Sequence, residues 1–89
     1  MKIWGKLLIN NRIVKDKVVL FDEDKNYEDN LKNSILEICK EFDIEIPYWL
    51  PSNEKEYAVR KKTIFTQDNF IDEFKFDKFI IEEIDLDDK

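Results

Sequence analysis

Hydrophobic residues in this chain first alternate, then fall into a helical stripe, and then return as short β-rich runs. Lys2 to Ile9 and Arg12 to Phe21 are rich in Ile, Val, Leu and aromatics, and Asn10-Asn11 separates them. Asparagine tolerates positive φ, so the pair suits a two-residue primed turn, and the spacing predicts a β-hairpin. In a regular register Leu7 faces Val14 and Ile3 faces Val18, with Ile9 and Leu20 on the same side. Gly5 then falls opposite Asp16, where a bulge or bend is expected. The second face of the hairpin carries Trp4, Lys6, Ile13, Lys15 and Lys17.

After a polar break from Asp22 to Asn26, Leu31, Ile35, Ile38, Cys39 and Phe42 form one continuous helical stripe. Asn26 or Asp24 is suited to cap this helix, and Glu28 and Asp29 favour its positive N-terminus. Pro47 lacks a backbone donor and stops any continuation. Ile46-Pro47-Tyr48-Trp49-Leu50-Pro51 reads as a stiff extended connection, because each proline pushes its predecessor away from helix. A short helix follows, capped by Ser52 or Asn53 and reaching Arg60. Thr63 to Phe65 reads as a short strand, and Thr66-Gln67-Asp68-Asn69 as a capped turn. Phe70 and Phe74 return to the core, and Phe76 to Leu86 supplies a last strand.

These elements predict an α+β fold. An N-terminal β-hairpin and a C-terminal strand form a small antiparallel sheet, with one main amphipathic helix, Glu28 to Phe42, packed on it and a short second helix beside it. Residues 1–89 read as a single small domain, with no repeat, low-complexity tract or linker. A domain of this size buries roughly 60–65% of its unfolded surface, so the core is thin. The apolar share of 43%, with seven Phe, three Tyr and two Trp, suffices to build it.

Composition narrows the chemistry. The chain has no histidine, one glycine and one cysteine. Histidine is the usual proton shuttle near neutral pH and a common metal ligand, and glycine lets backbone wrap a phosphate. Hydrolysis, nucleotide binding and zinc chemistry are therefore poorly served, and no cofactor is implied. A lone cysteine makes no internal disulfide. No apolar run approaches membrane-spanning length, and the Met1-to-Lys6 start lacks a signal-peptide pattern, so a cytoplasmic protein is expected.

The net charge of −6 is segregated along the chain: +4 over residues 1–21, −6 over 22–45, +2 over 46–66 and −6 over 67–89. Opposite signs in successive segments favour their mutual packing, and the hairpin is left basic on an acidic molecule.

Each candidate site has a plainer reading beside it. Cys39 lies on the buried stripe, between Glu37 and Glu41, which would suppress a thiolate, so core packing is favoured. Asp22, Asp24 and Asn26 have the spacing of calcium ligands, but Tyr27 stands where glycine is needed and Asn33 where a bidentate glutamate is needed. A polar cap and turn fits better. Glu82-Glu83 and Asp85 to Asp88 read as the solvent face of an edge strand, where charge deters aggregation. Arg60, Lys61 and Lys62 with Arg12, Lys15 and Lys17 form a candidate anion patch, with Trp4 or Phe65 available to stack on a base. Trp4, Tyr48 and Trp49 are the candidate interaction residues, since aromatics on stiff backbone make good anchors. The competing role for Trp49 is as a lid on the core.

Lys2-Ile3-Trp4-Gly5-Lys6, Asn11-Arg12-Ile13-Val14-Lys15-Asp16, Cys39-Lys40-Glu41-Phe42-Asp43, Trp49-Leu50 with Ser52-Asn53, and Thr66-Gln67-Asp68-Asn69-Phe70-Ile71 span nearly the whole chain. Together they resemble a group of short uncharacterised single-domain proteins of low-GC Gram-positive bacteria. The resemblance implies a bacterial cytoplasmic source and brings no functional residue with it.

The sequence therefore favours a non-catalytic module that binds another protein or itself, with no membrane role. The alternative is a nucleic-acid-associated protein, acting through the basic patch or as an acidic decoy for a DNA-binding protein. A carboxylate-based enzyme ranks third, with Asp68 beside Asn69 its one place to look.

Overall fold

Asn10 and Asn11 adopt φ of 52° and 64°, the left-handed pair that a two-residue primed turn requires. The turn joins β1 (Lys2–Ile9) to β2 (Arg12–Leu20). The computed structural model describes residues 1–85. The hairpin is the one expected, but its register differs from the regular one. Ile9 pairs with Arg12 and Leu8 with Ile13, and then a bulge displaces Val14, so that Leu7 faces Lys15, Gly5 faces Lys17 and Ile3 faces Val19. One extra residue in β2 moves Lys15 and Lys17 to the face that carries Ile3 and Leu7, and Asp16 and Val18 to the other. The irregularity sits between Leu7 and Leu8, not at Gly5.

Asn26 caps α1 (Tyr27–Phe42) by accepting from the Asp29 amide at 2.8 Å. Asn30, buried one turn in, organises the preceding loop. Its side-chain oxygen accepts from the Asp22 amide, and its NH2 group donates to the carbonyls of Asp22, Lys25 and Asn26. The helix ends at left-handed Asp43 with two reverse bonds, Asp43 to Lys40 and Ile44 to Cys39, the pairing of a Schellman motif.

Further along lie α2 (Pro51–Arg60), β3 (Lys62–Phe65), a 3-10 turn at Gln67–Asn69, and β4 (Lys78–Ile84). The sheet is antiparallel throughout, in the order β2-β1-β4-β3. Its last strand thus occupies an interior position. Glu82 and Glu83 accordingly do not line an outer edge. Glu82 accepts an ion pair from Lys6 at 3.0 Å on one face, and Glu83 points to the other. Leu86 to Asp88, the remainder of that expected acidic strand end, lie outside the described residues.

Both helices cover the face bearing Ile3, Gly5 and Leu7 from β1, Phe79 and Ile81 from β4, and Thr63 and Phe65 from β3. α1 packs over β1 and β2, and α2 over β3. The α1 stripe is buried as expected at Ile35, Ile38, Cys39 and Phe42. Phe79 stands at the centre, edge-on to Phe42 and tilted against Phe65. Gly5 sets the depth of the helix, because a Cβ there would lie 2.6 Å from Ile38 Cγ2. No described helix is long and apolar enough to cross a membrane.

Gly5→Ala tests this seating. The Ile38 side chain is β-branched and stiff in a helix, so α1 must lift, at a cost of about 1–3 kcal/mol. Urea denaturation measures it, and an unchanged midpoint would remove Gly5 as the determinant of helix position.

Candidate interaction groove

Two buried amides hold the second half of the chain in place. Asn53 accepts from the Leu50 amide at 3.0 Å and donates to Thr63 Oγ1 and the Ile64 carbonyl. Asn69 accepts from the Thr66 amide and donates to the Tyr48 carbonyl and to Asn53 Oδ1, both at 2.7 Å. Thr63 donates its hydroxyl hydrogen bond to Glu56. Every buried side-chain polar atom among the described residues is satisfied, which is the condition for such a network to stabilise a fold. Asn69 is thus structural, and Asp68 beside it is exposed.

This network anchors Tyr48 to Leu50 and the start of α2, beside an open groove of about 940 Å³ between the two helices. Its apolar lining comes from Leu31, Ile35 and Leu36 of α1, Ile46 and Trp49 of the connection, and Tyr57 and Ala58 of α2. Leu36 and Ile46 are 43% and 52% exposed, a substantial apolar surface for so small a domain. Glu28, Asp29 and Glu54 stand on the rim with Lys32 and Lys61.

At one end of the groove, two tyrosines converge on a single carboxylate. Tyr27 donates to Glu83 Oε1 at 2.6 Å and Tyr57 donates to the same oxygen at 3.0 Å. Lys61, held in a left-handed turn after α2, places its ammonium 5.6 Å from the centre of the Tyr27 ring and 6.0 Å from that of Tyr57. Burial raises both phenol pKa values, with the hydrogen bond to Glu83 adding at Tyr27 and the neighbouring Tyr27 hydroxyl and Glu83 charge adding at Tyr57. Neutral phenols bound to a carboxylate are donors, which makes this cluster a clamp between α1, α2 and β4.

The aromatics singled out in the sequence are dispersed. Trp49 is half-buried, edge-on to Tyr57 at 5.5 Å and to Phe65 at 5.3 Å, so it serves the core with one side and the groove with the other. Tyr48 is 60% exposed on backbone fixed at both ends, its amide donating to the Asn69 carbonyl and its own carbonyl accepting from the Asn69 side chain. Trp4 is on the uncovered sheet face, donating to Asp16 at 3.0 Å with Lys6 over its ring at 4.0 Å.

The basic residues divide between two places. Arg12, Lys15 and Lys17 are on β2, whereas Arg60, Lys61 and Lys62 lie at the junction of α2 and β3. β2 and β3 are opposite edges of the sheet, three strand spacings or roughly 14 Å apart. The Asp22-to-Asn26 loop uses its oxygens locally: Asp22 accepts from the Asp24 amide and Asn26 caps α1. Cys39 is buried on α1, and desolvation raises its thiol to about 12. Burial supplies that shift, in place of the flanking carboxylates invoked from the sequence.

Sequence reasoning did not single out Leu36 or Tyr57, and it took Tyr27, Ile46 and Glu83 in other roles. Leu36 and Ile46 carried a usable signal, since each is a large apolar residue outside the regular stripe. The convergence of Tyr27, Tyr57 and Glu83 comes from three distant segments, and no local spacing encodes it.

Trp49→Ala is expected to lower stability by about 2–4 kcal/mol through lost aromatic packing, while Tyr48→Ala changes it by less than about 0.5 kcal/mol. Equal effects in denaturant titration would contradict these placements. The tyrosine clamp predicts an alkaline limit. Both phenols keep their protons to higher pH in the folded chain than in the unfolded one. Stability is therefore intact below the ordinary tyrosine value of about 10 and falls as pH rises toward the folded values. Tyr57→Phe should flatten that decline at a neutral-pH cost of about 1 kcal/mol, and an equally steep decline in the variant would contradict the assignment.

Comparison with family models, curated proteins and solved structures finds no match to this chain.

Proposed function

We propose that this chain is a non-catalytic protein-interaction module that seats a basic, amphipathic segment of a partner protein between α1 and α2. The observation that carries the reading is the groove itself, with Leu36 and Ile46 exposed, aromatic rings at its floor and end, and three carboxylates on its rim. Apolar anchors spaced on one side of a partner segment would fill it, as in helix-in-groove recognition. The charge pattern sets the sign of that partner. α1, one wall of the groove, carries Glu28, Asp29, Glu37 and Glu41 against Lys32 and Lys40. Lysine or arginine flanking the partner's anchors meets Glu28, Asp29 and Glu54, and steers association in a salt-dependent way. Fixed walls favour affinity because little side-chain order must be gained on binding.

The division of the basic residues between opposite sheet edges supports a protein partner over nucleic acid, which requires a continuous positive track along its phosphates. The buried role of Asn69 and the donor role of the two tyrosines give no support to the enzyme reading.

A displayed library of random peptides, selected against the folded chain, tests the proposal. The expected winners combine spaced apolar residues with Lys or Arg, bind more weakly as salt rises, and lose about tenfold or more in affinity to Ile46→Asp and Leu36→Asp. Val14→Asp, on the far edge of the sheet, should leave binding unchanged. Selection of no peptide, or of peptides indifferent to both groove substitutions, would overturn the reading.

A further inference from the structure

β2 is the long outer edge of the sheet. Among the described residues it pairs only with β1, so one side of a nine-residue strand presents unpaired backbone donors and acceptors. The other edge, β3, has four residues. Protection along β2 is uneven. Its first part carries the Val14 bulge with Arg12, Lys15 and Lys17, features that deter strand addition. Val18-Val19-Leu20 has none of them, and Val18 and Leu20 are 42% and 63% exposed. On the uncovered face Val18 is directly opposite Trp4, whose indole is tied to Asp16 and Lys6.

We propose that β2 pairs antiparallel with β2 of a second copy of this chain, about a two-fold axis at Val18, joining two four-stranded sheets into one of eight strands. The charge pattern selects this register. With the axis at Val18, each Val18 meets the other, Leu20 meets Asp16 of the second copy, and Val19 meets Lys17 of the second copy. No like charges are directly opposed. An axis at Lys17 opposes two ammonium groups, one at Asp16 opposes two carboxylates, and one at Val19 carries Asp16 to Asp22 of the second copy. Like charges directly across a strand pair are destabilising. The Val18 register also builds an apolar row on the uncovered face, in the order Trp4, Val18, Val18, Trp4. The bulge at Val14 confines pairing to the stretch around the axis, Asp16 to Leu20. The two-fold then closes the assembly as a dimer, since each copy uses its one long edge.

This surface is separate from the helix groove, which opens on the β3 side of α1, so the two proposals fail independently. Sedimentation velocity over a concentration series should show a reversible dimer, and Val18→Lys should raise its dissociation constant by at least about tenfold. Val18 is partly exposed, so the variant is expected to keep its fold, as far-UV circular dichroism will report. Register is read by cross-linking. Val18→Cys should form a disulfide dimer with oxidised glutathione, because residues opposed at the axis have Cα atoms about 4.5–5.5 Å apart. Leu20→Cys should not, since its counterpart lies four residues along the strand, roughly 14 Å away. Cys39 is buried and stays silent in this assay. A monomer at every concentration, a dimer indifferent to Val18→Lys, or equal cross-linking of the two cysteine variants would each overturn the proposal.

Discussion

The hydrogen bond between Asn69 and Asn53 is the constraint on which the second half of the molecule depends. It joins two side chains buried to 3% and 5% exposure, and through them four segments: the Tyr48–Leu50 stretch, the start of α2, β3 and the 3-10 turn. An amide has two donor hydrogens and an acceptor oxygen, so a pair of them can satisfy backbone groups on several sides at once. Apolar side chains of equal volume would fill the same space and leave the Leu50 and Thr66 amides without acceptors. Two asparagines thus do here what a longer chain achieves with additional secondary structure, and the groove inherits its shape from them.

The same economy shows in the polar contacts between elements. The titratable residues that make side-chain contacts across the fold hold elements together. Lys6 and Glu82 bridge two strands, Tyr27 and Tyr57 share Glu83, and Glu56 accepts from Thr63. Exposed large apolar residues include Leu36 and Ile46 beside one groove, and Val18 and Leu20 along one edge. Recognition is the function class that uses such features without demanding a reactive group.

Much of the architecture was legible in the sequence because it is local. The Asn10-Asn11 turn, the α1 stripe and the Asn26 cap each follow from neighbouring residues, and each is present, while α1 ends at left-handed Asp43, ahead of Pro47. The register was misread for a physical reason. A bulge adds a residue without altering composition, so Val14 looks like any strand residue, yet it reverses the facing of everything after it. Glu82 and Glu83 were misread as an edge because acidic alternation resembles edge protection; their partners, Lys6 and the two tyrosines, are more than twenty residues away. Trp49 was visible as a residue with two possible roles, and the structure gives it a side in each. The groove itself was not legible, since its walls come from α1, α2 and the connection between them, and nothing local fixes how far apart two helices settle.

The strand order has a consequence for how the molecule assembles. β4, from Lys78 to Ile84, lies between β1 and β3, so the hairpin at the beginning and the short strand in the middle have no direct pairing with each other. A chain emerging from the ribosome can form its hairpin and its first helix early, from local contacts. It then holds an open apolar flank until residue 84 is free to enter. β4 is the keystone, and closing the sheet pairs Lys2 with Ile84, a long-range demand that slows folding relative to local topologies. During that interval the flank of β1 is as available to a neighbouring chain as to its own strand, and the speed of that single insertion sets the risk of misassembly.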